Sequence, residues 1–250
     1  MRSRPSIMTA SRRAIATVFE RLDYGALGTI YCDEGGDEFW KAKREHCRRL
    51  GAKLGLALLS RLKEGGTSLY VGAGVAEIPL VLLERLEKHR GVTACNLRRE
   101  EVAILNRACD GLPVRFHHRD AGLVRGSYDH LWFVSAANDP ERFPELSALS
   151  YGRANPVTFN ARNFISEQRA VARLVNRCLG RLTIPGLVTT TVEEVVWIAD
   201  WCHRRGVPYR IEDRTYPSPT VGDPICFVRV GSEMADVSAG RPKQGPTRPQ

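Results

Sequence analysis

Residues 68–77 read SLYVGAGVAE, a short apolar strand that runs directly into a glycine turn and then into residues with helical spacing. Glycines at such a junction let the backbone turn tightly and approach a ligand. The helix that follows aims its free N–H groups at any polar or anionic moiety placed there. A dinucleotide-binding turn, GxGxxG, needs Gly or Ala at its sixth position, where the helix packs on the strand beside a pyrophosphate. That position is Glu77, a carboxylate that repels pyrophosphate, so NAD or FAD binding is disfavoured. The Lys-Ser/Thr ending of a phosphate-binding P-loop is missing as well. The pattern that fits is GxGxA, with small residues at Gly72, Gly74 and Ala76.

Working outward, strands and helices take turns. Strands are predicted at 68–71, 92–95, 113–117, 128–135 and 186–191, and helices at 76–89, 98–109, 166–179 and 192–204. Strands so spaced require right-handed parallel crossovers and a sheet covered on both faces, a doubly wound α/β domain. The end of the chain breaks the rhythm. Residues 208–213 (PYRIED) and 224–230 (PICFVRV) are both strand-like, and the turn-rich stretch between them is too poor in helix formers for a crossover helix. These two strands are expected to pair antiparallel. Upstream, residues 38–63 place Phe39, Leu50, Leu54, Leu58 and Leu62 at helical intervals among charges, an amphipathic helix leading into the core.

The chain has 250 residues, 43% apolar and 26% charged, enough apolar matter for a full core. We divide it into a flexible basic tail (1–13), an N-terminal helical segment (14–67), the α/β domain (68–230) and a disordered tail (231–250) rich in Pro, Gly and polar residues. No apolar run approaches the roughly 18–20 residues of a membrane helix, and no signal-peptide core follows the first basic residues. The seven cysteines are odd in number, scattered and without a CxxC pair, which suits a reducing compartment; a cytoplasmic location is expected. The net charge of +9 is spread along the chain, and 31 of the 37 basic residues are arginine, so codon bias competes with phosphate binding as its explanation.

With these features in place, residues 50–230 resemble the class I S-adenosylmethionine-dependent methyltransferase superfamily. The resemblance rests on the glycine turn after the first strand, a polar residue ending the second, an acid after the third and the closing antiparallel hairpin. It implies a methyltransferase-like Rossmann fold: a mostly parallel seven-stranded sheet in the order 3-2-1-4-5-7-6 with a C-terminal antiparallel strand, here carrying additional N-terminal helices. It also implies S-adenosylmethionine as cofactor. On this resemblance Gly72, Ala73 and Gly74 would support the methionine part of the cofactor, with Tyr70 and Glu77 on either side. Asn96, followed by Leu97, would face the ribose; Asp120 and Ala121 the adenine; and Ser135 and Ala136 the floor of the cleft and the substrate entrance.

Two positions depart from the family pattern. The acid usual two residues before the first glycine is Tyr70, and the usual ribose-binding carboxylate is the amide of Asn96. Bland roles compete with the cofactor roles: Glu77 complementing its own helix, Asp120 capping the next turn, Asn96 capping the following helix. A non-catalytic protein of the same fold and an NAD-dependent oxidoreductase are the alternatives to a methyltransferase. No residue is assigned as a catalytic base, and none as a metal ligand, since His117 and His118 point to opposite faces of one strand. Arg162, Arg169, Arg173 and Arg177 form a stripe on one helical face. The expected partner is nevertheless a small-molecule substrate, with nucleic acid the less favoured alternative and a membrane excluded. The long connection after the fourth strand, 136–164, is expected to be a lid. Its rings (Phe143, Tyr151, Phe159, Phe164) would face Tyr24, Tyr31, Phe39 and Trp40 across the cleft.

Overall fold

The computed structural model describes residues 7–31, 36–218 and 222–231. Its helices and strands run α1 (Thr9–Arg21), α2 (Tyr24–Tyr31), α3 (Gly36–Leu59), β1 (Thr67–Val71), α4 (Ile78–Glu87), β2 (Gly91–Asn96), α5 (Arg99–Ala108), β3 (Phe116–His118), β4 (Tyr128–Phe133), α6 (Pro144–Ser150), α7 (Ala161–Leu179), β5 (Leu182–Thr191), α8 (Val195–Arg205), β6 (Tyr209–Ile211) and β7 (Ile225–Val230). Short 3-10 turns at Val75–Glu77 and Ala121–Leu123 follow β1 and β3. The sheet order is β3-β2-β1-β4-β5-β7-β6. The neighbours from β3 to β5 are parallel, whereas β7 inserts antiparallel between β5 and β6, pairing Thr189 with Phe227 and Arg210 with Arg229. The fold expected from the resemblance is therefore the one observed.

Alternation along the strands divides the core in two. Leu69 and Val71 of β1, with Leu131 and Phe133 of β4, face α7 and α8 through Val171, Leu174, Val175, Ile198 and Trp201. Tyr70 and Trp132 face the other way, into the layer made by α1 to α5. That second layer is dense. Gly51 and Gly55 of α3 leave room for α4, and a β-carbon at Gly51 would sit 2.1 Å from Cβ of Pro79. On the α7 side, the four stripe arginines are exposed while Val171, Leu174, Val175 and Cys178 are buried.

A buried polar network crosses the sheet beneath α4. Glu84 accepts from the hydroxyls of Tyr70 (2.6 Å) and Ser68, pairs with Arg90 (3.0 Å), and lies 3.1 Å from Nδ1 of His130. Arg90 also reaches Asp129 and the carbonyls of Lys63 and Thr67. Burial alone would raise the Glu84 carboxyl, but His130 and the hydroxyls of Ser68 and Tyr70 hold it below its ordinary range.

Several expectations change. Residues 9–13, assigned to a frayed tail, form the first turns of α1, because Ser11, Ile15, Val18 and Phe19 bury one face against the core. The connection 136–164 contains α6, and α7 starts at Ala161 rather than Ser166, its first N–H groups captured by Oδ1 of Asn160 (both 3.1 Å). Residues 1–6 and 232–250, the start of the first expected tail and nearly all of the second, lie outside the described residues, as do the side chains of Tyr31, Phe39 and Trp40. Among the described residues, no helix is long and apolar enough to cross a membrane.

Candidate functional site

Between β1 and β4 the chain changes sides of the sheet: α4 leaves β1 toward the α1–α5 layer, and α7 covers the opposite face. Open α/β sheets bind ligands at such a switch point, beyond the carboxyl ends of the strands. A cleft of about 920 Å³ occupies that place. Of the candidate residues, Gly72, Glu77, Asn96, Leu97, Asp120, Ala121, Ser135 and Ala136 line it, so the ends of four strands converge as expected. Tyr70, Ala73 and Gly74 are not among the lining residues. Tyr70 is fully buried, stacked on Trp132 at 5.4 Å, and its hydroxyl belongs to the Glu84 network; it points away from the cleft because its neighbours on β1 take the other face. Ala73 is tied down by its N–H to the carbonyl of Cys95 (2.8 Å).

The two glycines serve different ends. Gly72 has φ +71°, where a β-carbon is strained, and one built there meets nothing within 4 Å, so the turn leaves open space. Gly74 is small for an internal reason: its β-carbon would lie 2.7 Å from Oε1 of Glu101. Its N–H donates to Oε2 of Glu77 at 2.8 Å, so Glu77 caps its own turn while still lining the cleft. Burial pushes the Glu77 carboxyl up to about 7, the Gly74 N–H opposing and nearby Glu101 adding to the rise.

Asn96 is saturated by its surroundings. Its Nδ2 donates to the carbonyl of Ala73 and to Oε2 of Glu101, both at 2.9 Å, and its Oδ1 accepts from the N–H of Arg98 at 2.8 Å. The amide thus knots the glycine turn to the start of α5. Asp120 accepts from the N–H of Gly122 (2.8 Å), capping the following 3-10 turn as well as lining the cleft.

The wall beyond β4 joins Ser135 and Tyr151, both expected at the cleft, to Glu194 and Asn138, which sequence reading missed. Ser135 adopts φ +54°, and the buried carboxylate of Glu194 receives the N–H groups of Ser135 (2.9 Å) and Ala137 (2.6 Å). Burial pushes Glu194 up to about 7 against these donors. Asn138 lines the cleft at 3% exposure, and its Nδ2 has no hydrogen-bond partner. Tyr151 also lines it and donates to Asp223 at 2.6 Å, tying the loop after α6 to the loop before β7; burial and that carboxylate push the phenol up. Arg98, Arg119, Arg142 and Arg153 complete the rim, Arg98 pairing with Glu141. Sequence reading could not find Glu194, because the N–H groups that it holds belong to residues 57 and 59 positions away.

Of the expected aromatic walls, Tyr151 is the ring among the described residues that lines the cleft. Phe143 is buried under α7, Phe159 packs on Phe164 at 5.5 Å, and Tyr24 bonds the Phe19 carbonyl in the N-terminal layer. Among the described residues no three His, Cys, Asp or Glu side chains are grouped to hold a metal ion.

The sequence matches no protein-family model and no curated protein. Solved structures do resemble the fold. A methyltransferase from Pyrococcus furiosus aligns with TM-score 0.48 at 16% identity, covering 73% of this chain and 83% of that one. Magnesium protoporphyrin IX methyltransferase from Synechocystis PCC 6803, solved with bound SAM, gives 0.47 at 11% identity over 90% of this chain and 99% of that one. Trm5b from Pyrococcus abyssi gives 0.46 at 13% identity over 73% of this chain, which spans only 49% of that protein.

Proposed function

We propose that this chain is an S-adenosylmethionine-dependent methyltransferase. One observation carries the reading: a glycine turn with open space at Gly72 shares a single cleft at the switch point with Asn96 of β2 and Asp120 after β3. The donor set suits the cofactor. Carboxylates at Glu77 and Asp120 answer its cationic and amino groups, and Gly72 admits it close to the backbone. Bound there, the cofactor supplies a methyl group on an electrophilic sulfonium centre. The chain's own part is to orient an acceptor in line with that methyl and to exclude water, work done by position rather than by a dedicated base. Residues 135–138 and Tyr151 form the wall against which the acceptor would lie. We read the acceptor as a small molecule; the cleft volume lies in the usual range of small-molecule sites, roughly 300–1,000 Å³, and the cofactor itself would take up part of it.

One observation favours the alternative of a binding protein without turnover: Asn96 spends its amide inside the protein. Calorimetric titration with S-adenosylmethionine, S-adenosylhomocysteine and NAD tests the assignment. Binding of the first two and not NAD is expected, and Gly72→Val should abolish it in a chain that still folds. NAD binding, or no binding of any of the three, would sink the assignment.

A further inference from the structure

We propose that Glu194 is a positioning residue of this cleft: its carboxylate, sunk beneath the end of β4, holds residues 135–137 in the bend that presents Ser135, Ala136 and Asn138 to the bound ligand. The inference rests on the functional reading above and adds to it a residue that touches neither ligand nor cleft.

The hydrogen bonds of the Glu194 carboxylate come from backbone N–H groups and hydroxyls. Oε1 takes the N–H of Ala137 at 2.6 Å. Oε2 takes the N–H of Ser135 at 2.9 Å and faces the hydroxyls of Thr191 (3.2 Å) and Thr190 (3.5 Å). The side chain is wholly buried, and no salt bridge joins it among the described residues. An unpaired carboxylate is retained at such a depth only where several hydrogen bonds reward it. What it secures is a conformation the chain would otherwise avoid. Ser135 has φ +54°, a left-handed geometry that costs a non-glycine residue on the order of 1 kcal/mol. Two N–H groups drawn to one carboxylate fix that bend. Immediately beyond it stands Asn138, 3% exposed with an unpartnered Nδ2, on the cleft wall.

The same geometry makes the device sensitive to protonation. An acceptor-only group satisfies both N–H donors; once protonated, one oxygen carries a hydrogen and faces a donor with a donor. Burial places this change near neutrality, at about 7, against the pull of the Ala137 and Ser135 N–H groups. Its charge is felt by Tyr151 from the loop after α6 and by Cys226 from β7, and Tyr151 also feels Glu193 and Asp223, the latter its hydrogen-bond acceptor, so these groups around it are neutral or acidic.

Glu194→Gln mimics the protonated state, and S-adenosylhomocysteine is the probe. At pH 8 the variant should bind it about tenfold more weakly than the wild-type chain, and by pH 5.5 the two affinities should converge. Glu77 titrates in the same range in both proteins, so its effect cancels in the ratio. A folded variant with wild-type affinity at pH 8, or a ratio independent of pH, overturns the inference alone. No binding by the wild-type chain at any pH overturns the functional reading and this inference together. If Glu194→Gln does not fold, Thr191→Val serves: it removes a donor to the carboxylate and should raise the pH midpoint of wild-type-like binding, and an unmoved midpoint overturns the inference.

Discussion

At the scale of single residues, Asn96 shows how a neighbour's chemistry decides which side chain a position can take. Family resemblance suggests that aspartate there would grip a ribose better. The structure argues otherwise, because Nδ2 donates to the Ala73 carbonyl and to Glu101, and a carboxylate would set acceptor against acceptor at both contacts. Asn96→Asp is therefore expected to lower stability by about 1–3 kcal/mol and leave affinity for S-adenosylhomocysteine no higher than before. Thermal melting with calorimetry checks it, and a clear gain in affinity would refute it. Placement at the cleft was partly legible in the sequence: Gly72 stands at the turn between strand and helix, and Asp120 and Ser135, to which the family resemblance pointed, line the same cleft. Tyr70 was not, because its position two residues before the glycine gives no hint of Glu84, which accepts its hydroxyl from α4 on the same side of the sheet.

At the scale of elements, periodicity decided well where one face is apolar and failed where burial is shared. Residues 166–179 carry a clear apolar stripe and were read as a helix, but the first turn of α7 is set by the Asn160 cap and by packing on α6, which periodicity does not report. Helices α1 and α2 fall largely within the segment expected to be helical, 14–67, but their bounds were not legible for a similar reason: their apolar residues, such as Val18, Phe19 and Leu27, acquire a face only once α3, α4 and α5 are there to receive it. Parallel crossovers were legible in the alternation of strands and helices and the closing antiparallel pair in a turn that no helix could span, whereas the order of the strands came only with the family resemblance. Close helix contact was hidden in two glycines of α3. With Cβ of Pro79 only 2.1 Å from where a β-carbon at Gly51 would stand, Gly51→Ala must push α4 away. A loss of about 1–3 kcal/mol is expected, although alanine favours the helix itself. A denaturant melt giving equal or greater stability would mean that α3 and α4 part without cost.

At the scale of the whole molecule, the two carboxylates that shape the cleft oppose the fold that carries them. Glu77 and Glu194 are raised from an ordinary 4.5 to about 7, chiefly by burial. Between those values the unfolded chain has released its protons and the folded chain still holds them, so stability falls as pH rises from about 4.5 to 7 and is level above. Each group, displaced by a little over two units, costs about 3 kcal/mol once ionised. Glu84 and Glu212 act in the other direction. Despite burial, His130 and Ser68 lower the first, and Arg61 and Arg229 lower the second, so each stabilises the fold above about 4.5 and loses that contribution as pH falls further. For these four groups together stability is greatest near pH 5, below the range in which Glu77 and Glu194 ionise. Melting temperature should therefore drop between pH 5 and 8, and Glu194→Gln should flatten that drop even as it weakens ligand binding at pH 8. A melting temperature that rises steadily from pH 5 to 8 would show that these carboxylates are not held protonated by the fold, and the opposition between a stable core and an ionised site would disappear with it.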